Sequence, residues 1–252
     1  MHFLRISHGG LTYYARQMDE ATARLWTSAP WHGGTETDRL VPIKEDSLLC
    51  PVEPSKIVCV GRNYRAHAKE LGHEVPTEPL LFLKPPSALL SPEGVIQLPS
   101  MSERVEFEGE VGVVIGKPLR HADATAARAG LFGVTCVNDV TARDLQRKDV
   151  QFTRAKGFDT FCPVGPTIAT DLSPDNLALE TRVNGTVRQS GNTRDMVFPI
   201  VELLAYISRV MTLLPGDLVV TGTPEGVGPL SAGDEVTVSV EGVGVLRNRV
   251  QA

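Results

Sequence analysis

The apolar positions of this chain fall mostly into short runs and two-residue alternations, interrupted at close intervals by glycine and proline. That rhythm predicts strands joined by turns. "MHFLRISHGGLTYYAR" reads as a hairpin around Gly9-Gly10, and residues 1 to about 50 as short strands and turns. "KIVCVG" predicts a strand, and "RNYRAHAKELG" after it has helical spacing with Gly72 as its stop. "HEVPTEP" is a proline-punctuated connection to another strand, "LLFLK". Further on, "ADATAARAGLFG" predicts a helix and "GVTCVND" a strand. "TARDLQRKDV" predicts a helix opened by a capping box of Thr141 and Asp144. "LETRVNGTVRQ" is a hairpin turning at Asn184-Gly185. "PIVELLAYISRVM" is an amphipathic helix with Pro199 in its first turn. The remainder, through "GDEVTVSVEGVGVLRNRV", is strands and glycine turns. Strands outnumber helices and recur at hairpin distances, so the expected fold is a strand-dominated α+β architecture rather than a doubly wound sheet.

Composition narrows the function. The 252 residues are 42% hydrophobic and 22% charged, as in an ordinary globular protein, and carry a formal net charge of −5 with no basic run. This speaks against a nucleic-acid surface. No apolar run approaches the roughly 18 residues of a membrane span, and "MHFLRISHGG" lacks the basic-then-apolar order of a secretory leader. No membrane association is expected, and the cytoplasm is the expected address. Cys50, Cys59, Cys136 and Cys162 form no C-x-x-C pair, so neither a thiolate zinc site nor a disulfide framework is expected.

The stretch "RVEFEGEVGVVIGK" (104–117) places Glu106, Glu108 and Glu110 at alternate positions before an apolar run. On one strand they would share a face. That face looks either at water or at a cation, because stacked like charges cost energy unless something offsets them. Hard ions such as Mg²⁺ and Mn²⁺ take oxygen ligands, and a complete site needs a further carboxylate. Asp139 in "CVNDVTARDLQ" is a candidate; plain helix capping is its other reading, and Asp144 and Asp149 compete for the role. His67 and Glu70 are three apart on a helical pattern, either exposed neighbours or an oriented general base. Lys84 and Lys156 lie in apolar surroundings. "TGTPEGVG" (221–228) lacks a phosphate-loop ending but could offer backbone N–H groups to a carboxylate.

Taken together, "GRNYRAHAKE", "LFLKP", "EGEVGVVIGK", "NDVTARDLQ", "AKGFDTFCPVGP", "VNG" and "TGTPEGVGP" resemble, in order and spacing, the fumarylacetoacetate hydrolase family over about residues 55–250. The first 50 or so residues are similar to the small N-terminal segment of its bacterial branch. The resemblance implies a mixed β-roll of that family's C-terminal-domain type over 54–252, preceded by a small β-rich segment over 1–53, and a homodimer. It implies Mg²⁺ or Mn²⁺ held by Glu108, Glu110 and Asp139, which leaves Glu106 outside the ligand set. His67 and Glu70 match the family's His–Glu pair on a short lid helix, with "LGHEVPTEP" completing the lid, and Lys156 matches its active-site lysine. Lys84, Arg143, Gln146 and Thr223 fall where the family contacts substrate carboxylate and keto oxygens. The implied substrate is a small 2-oxo acid. C–C cleavage of a β-dicarbonyl compound through an enolate held at the ion, by acylpyruvate hydrolysis or oxaloacetate decarboxylation, is the first expectation. Isomerisation of 2-hydroxyhepta-2,4-diene-1,7-dioate is the second. A non-catalytic binding protein of the same fold is an alternative that the intact residue set argues against.

Overall fold

Two-residue glycine turns set up the first layer. In the structure, a computed structural model that describes residues 1–70, 72 and 74–252, Gly9 and Gly10 both have positive φ. They close a hairpin between β1 (His2–His8) and β2 (Leu11–Gln17). β3 (Thr22–Trp26) and β4 (Glu36–Pro42) complete an antiparallel meander, whose inner face buries Leu4, Ile6, Ala15, Ala23, Leu25 and Val41. Then come β5 (Ile57–Gly61), α1 (Arg65–Glu70), β6 (Leu80–Lys84), β7 (Val105–Phe107), β8 (Gly109–Ile115), α2 (Ala124–Gly130) and β9 (Leu131–Asn138). After these follow α3 (Arg143–Lys148), α4 (Thr153–Lys156), β10 (Cys162–Ala169), β11 (Ala178–Val183), β12 (Thr186–Asn192), α5 (Ile200–Val210), β13 (Leu218–Val220), β14 (Glu235–Val240) and β15 (Gly244–Gln251).

The large sheet runs β4-β3-β2-β1-β10-β9-β8-β13-β5-β6. Along this order the pairs are antiparallel except β13 with β5, and off it Leu89–Leu90 pairs parallel with β10, so the sheet is mixed. The N-terminal meander is therefore continuous with the rest, joined where β1 pairs with β10. A second sheet, β12-β11-β14-β15 with Val95–Gln97 on its far edge, packs against it. Between them, Val111, Val113 and Ile115 of β8 meet Leu179, Val238 and the apolar stripe Ile200, Leu203, Leu204 and Ile207 of α5. Val114 faces the opposite way, into a cluster with Val137, Val164 and Leu218. A strand buried on both faces reads as an unbroken apolar run, which is what "VGVVI" is.

Two sequence expectations change. Glu106, Glu108 and Glu110 do not share one strand: β7 and β8 belong to different sheets, with Glu108 at the joint. A Cβ on Gly109 would stand 1.9 Å from Thr181 Oγ1, so only glycine lets the chain pass under β11 as it changes sheets. The capping box is absent as well. Thr141 pairs with Glu106 in a short three-stranded sheet, and Ala142 caps α3 without a side-chain bond. Asp144 instead accepts hydrogen bonds from the Ser102 hydroxyl and the Glu103 N–H. All four cysteines are free and buried. Among the described residues no helix is long and apolar enough to cross a membrane.

Candidate active site

The end of β9 and the start of β8 are neighbours, so their carboxylates meet. Gly109 pairs with Asn138 and Glu110 with Val137. The Asp139 N–H donates to the Glu108 carbonyl (2.8 Å) and the Glu108 N–H to Asn138 Oδ1 (3.0 Å). This register brings Glu108, Glu110 and Asp139, each at most 5% exposed, together with one oxygen of each within 4.8 Å of the others.

Buried carboxylates need partners. Lys156 Nζ bridges Glu108 (2.8 Å) and Asp139 (2.7 Å). Arg143 joins Glu108 (2.5 Å) and Glu106 (2.6 Å) through two arms of its guanidinium, and its third reaches Gln146 Oε1. Lys84 Nζ donates to Asp139 Oδ1 (2.6 Å) and to the Val140 carbonyl (3.0 Å). Lys84, Arg143 and Lys156 thus offset Asp139, Glu106 and Glu108. Glu110 is the remaining carboxyl group, and among the described residues its hydrogen-bond donor is the Gly222 N–H.

The protonation states follow. Burial opposes the charge on Glu108, but the Lys156 ammonium and the Arg143 guanidinium outweigh it and hold the carboxyl well below its usual range. Burial likewise opposes the charge on Lys156, and Asp139 and Glu108 overcome it, keeping the ammonium protonated beyond an ordinary lysine. Glu110 goes the other way. Burial and the adjacent Asp139 and Glu108 raise it well above a normal carboxylate. A buried trio of hard oxygen donors, one of them without an ion pair among the described residues, fits a divalent ion.

A cavity of about 360 Å³ opens beside the trio. His67, 4% exposed, lines it from α1. Its Nδ1 lies 3.2 Å from Glu70 Oε2, and Glu70 Oε1 accepts the Gly226 N–H (3.0 Å). The "TGTPEGVG" loop therefore does offer backbone N–H groups to carboxylates, and these are the protein's own Glu70 and Glu110. Leu80, Phe82 and Phe152 form the apolar wall. Lys156 Nζ sits 5.0 Å from the Phe82 ring centre.

Arg143, Gln146 and Thr223 also line the cavity. Lys84 lies behind Asp139, buried and outside the lining, where it holds a carboxylate of the protein in place of one from a substrate. Thr223 is restricted as well: its hydroxyl donates to the Gly109 carbonyl (2.8 Å) and accepts from Gln189 Nε2 (2.7 Å), so it meets a ligand as an acceptor. The lid read over residues 71–79 includes residues 71 and 73, which lie outside the described residues.

Gln189 is a site-building residue the sequence reading passes over. It receives the Gly109 N–H (2.9 Å) and donates to Thr223 and to the Pro224 carbonyl, tying β12 to both the sheet switch and the glycine loop. Its one sequence signal is its place beside the Asn184-Gly185 hairpin, too weak to single it out. Asn63 does similar work, bonding the carbonyls of Phe198 and Thr221 and the Phe198 N–H.

Residues 56–251 match the family described as fumarylacetoacetate (FAA) hydrolase C-terminal, and residues 1–51 match Rv2993c-like, N-terminal. A Homo sapiens protein named oxaloacetate tautomerase FAHD2A, mitochondrial, is 45% identical over 224 residues, covering 84% of this chain and 71% of its own. A solved structure described as 2-hydroxyhepta-2,4-diene-1,7-dioate isomerase from Mycobacterium marinum is 43% identical with TM-score 0.91, covering 100% of this chain and 98% of that one. Another, 5-carboxymethyl-2-hydroxymuconate delta-isomerase from Mycobacterium smegmatis, is 43% identical with TM-score 0.92, covering 100% and 99%.

Proposed function

This chain belongs to the fumarylacetoacetate hydrolase family, and on that premise we propose that it transfers a proton at the carbon beside the keto group of a small 2-oxo dicarboxylate, interconverting tautomers or double-bond isomers. The observation that carries this reading is His67, on the cavity wall with its Nδ1 engaged by Glu70. A carboxylate that accepts the Nδ1 proton fixes the ring's tautomer and leaves Nε2 as the proton acceptor. Its neighbours are committed elsewhere: Lys156 and Arg143 are locked as cations and Glu108 as an anion.

In the forward step Nε2 takes a proton from C3 of the substrate. The electron pair of that C–H bond becomes the C2=C3 double bond, and the negative charge moves to the C2 oxygen. The Lys156 ammonium, which has one N–H beyond those given to Glu108 and Asp139, adds positive charge where this negative charge develops. The imidazolium then returns its proton to C3, or to the far carbon when the double-bond system is longer. Leu80, Phe82 and Phe152 keep bulk water from the reacting carbon. Glu108, Glu110 and Asp139 would hold a divalent ion, which supplies Lewis-acid polarisation of the keto group when bound.

The sequence reading places C–C cleavage ahead of isomerisation, and a His–Glu pair can activate the water that hydrolysis needs. The same pair serves proton transfer to and from carbon, and relatives at 43–45% identity are named for tautomerisation and isomerisation. This supports reversing the order. Oxaloacetate and acetylpyruvate, assayed side by side with Mg²⁺, separate the readings. Accelerated keto–enol interconversion of oxaloacetate is expected, lowered about 10²- to 10⁴-fold in His67→Ala. Hydrolysis of acetylpyruvate with no acceleration of tautomerisation would overturn the proposal.

A further inference from the structure

Arg62 joins β5 to α1 with φ +57, a backbone conformation that favours glycine or asparagine over arginine. Its neighbours are fixed on both sides: Gly61 pairs with Leu80, and Asn63 is bonded to Phe198 and Thr221. A strained residue held between two anchored ones directs attention to its side chain. That side chain lines the cavity and is half-buried, and among the described residues it has no ion-pair partner. The other cations near the acidic trio are already used, since Lys84, Arg143 and Lys156 are bound to Asp139, Glu106 and Glu108. Arg147 lines the cavity too, but it is exposed on α3, where water and salt screen a charge.

A 2-oxo dicarboxylate brings two anions. The carboxylate beside the keto group travels with the reacting atoms toward the acidic trio, and the distal one needs a cation of its own in a half-buried place. We propose that Arg62 is the specificity-determining residue that receives this distal carboxylate, its planar fork suited to two parallel hydrogen bonds. The inference rests on the proton-transfer reading above and adds which acids the cavity selects.

The test compares oxaloacetate with 2-oxobutanoate, which carries a methyl group where oxaloacetate carries its distal carboxylate. Both are followed by C3 hydrogen–deuterium exchange with Mg²⁺ present, in the parent, Arg62→Gly and Arg62→Lys. Glycine is the residue this backbone conformation favours, so Arg62→Gly removes the guanidinium while suiting the turn. The ratio of kcat/KM for oxaloacetate to that for 2-oxobutanoate is expected to fall about 10- to 100-fold in Arg62→Gly, mostly through KM, with Arg62→Lys between. A ratio within twofold of the parent's in Arg62→Gly overturns the assignment of Arg62 while leaving the proton-transfer reading in place. Failure of the parent to speed exchange on oxaloacetate overturns both.

Discussion

Glu110 is where the electrostatics of the site can be read most directly, because among the described residues it is the carboxylate of the trio that forms no ion pair. Its folded-state value lies above the ordinary 4.5, so the folded chain holds a proton that the unfolded chain gives up. The sign follows: stability of the ion-free protein falls as pH rises above the ordinary carboxylate value toward the raised one. An ion needs the carboxylate, so Mn²⁺ affinity rises over the same range and binding releases a proton. Melting curves of the ion-free protein from about pH 5 to 8 should show this decline, and Glu110→Gln, which imitates the neutral form, should flatten it. Equal slopes in parent and variant would place the proton elsewhere. Lys84 gives a second prediction at this scale. Lys84→Met leaves Asp139 short of a buried partner and should cost about 3–5 kcal/mol in urea unfolding; a loss under 1 kcal/mol would mean that Lys156 alone suffices for Asp139.

Between elements, the glycine loop and the sheet switch decide where the ligands stand. Gly222 has φ +104, and a Cβ there would lie 2.6 Å from Asn63 Cβ, while its N–H holds Glu110. Gly222→Ala should therefore destabilise the fold by roughly 2–4 kcal/mol and weaken Mn²⁺ binding together. Unchanged melting temperature and affinity would show that the loop has room to adjust. Local signals in the sequence found the elements that local chemistry determines. The Gly9-Gly10 and Asn184-Gly185 turns, the α5 stripe and the doubly buried run of β8 are all where their patterns place them. The break at Glu108 was not legible, since alternating glutamates look the same on one strand as across two. It depends on Thr181, distant in sequence, pressing on Gly109. Nor can residue type tell a lysine that faces a cavity from one that braces a ligand behind it, which is the difference between Lys84's expected and observed places. His67, Glu70 and Lys156 stand out in the sequence only through the motifs of the family resemblance, and the structure sets His67 and Lys156 on one cavity with Glu70 bonded to His67.

At the scale of the whole molecule, two packed sheets fix a site whose residues come from positions 60 to 226 of the chain, with the N-terminal meander extending one sheet away from it. The homodimer implied by the family resemblance is a separate expectation: sedimentation should give a species near twice 27.3 kDa, and a single species at the monomer mass would dismiss it. Everything said of the chemistry depends on the junction of β8 and β9 acting as a divalent-ion centre. Titration of Mn²⁺ by electron paramagnetic resonance into the parent, Asp139→Ala and Glu106→Ala tests this most directly. One ion per chain is predicted for the parent and for Glu106→Ala, whose carboxylate serves Arg104 and Arg143, and none for Asp139→Ala. Binding retained in Asp139→Ala but lost in Glu106→Ala, or no binding by the parent, would contradict the account.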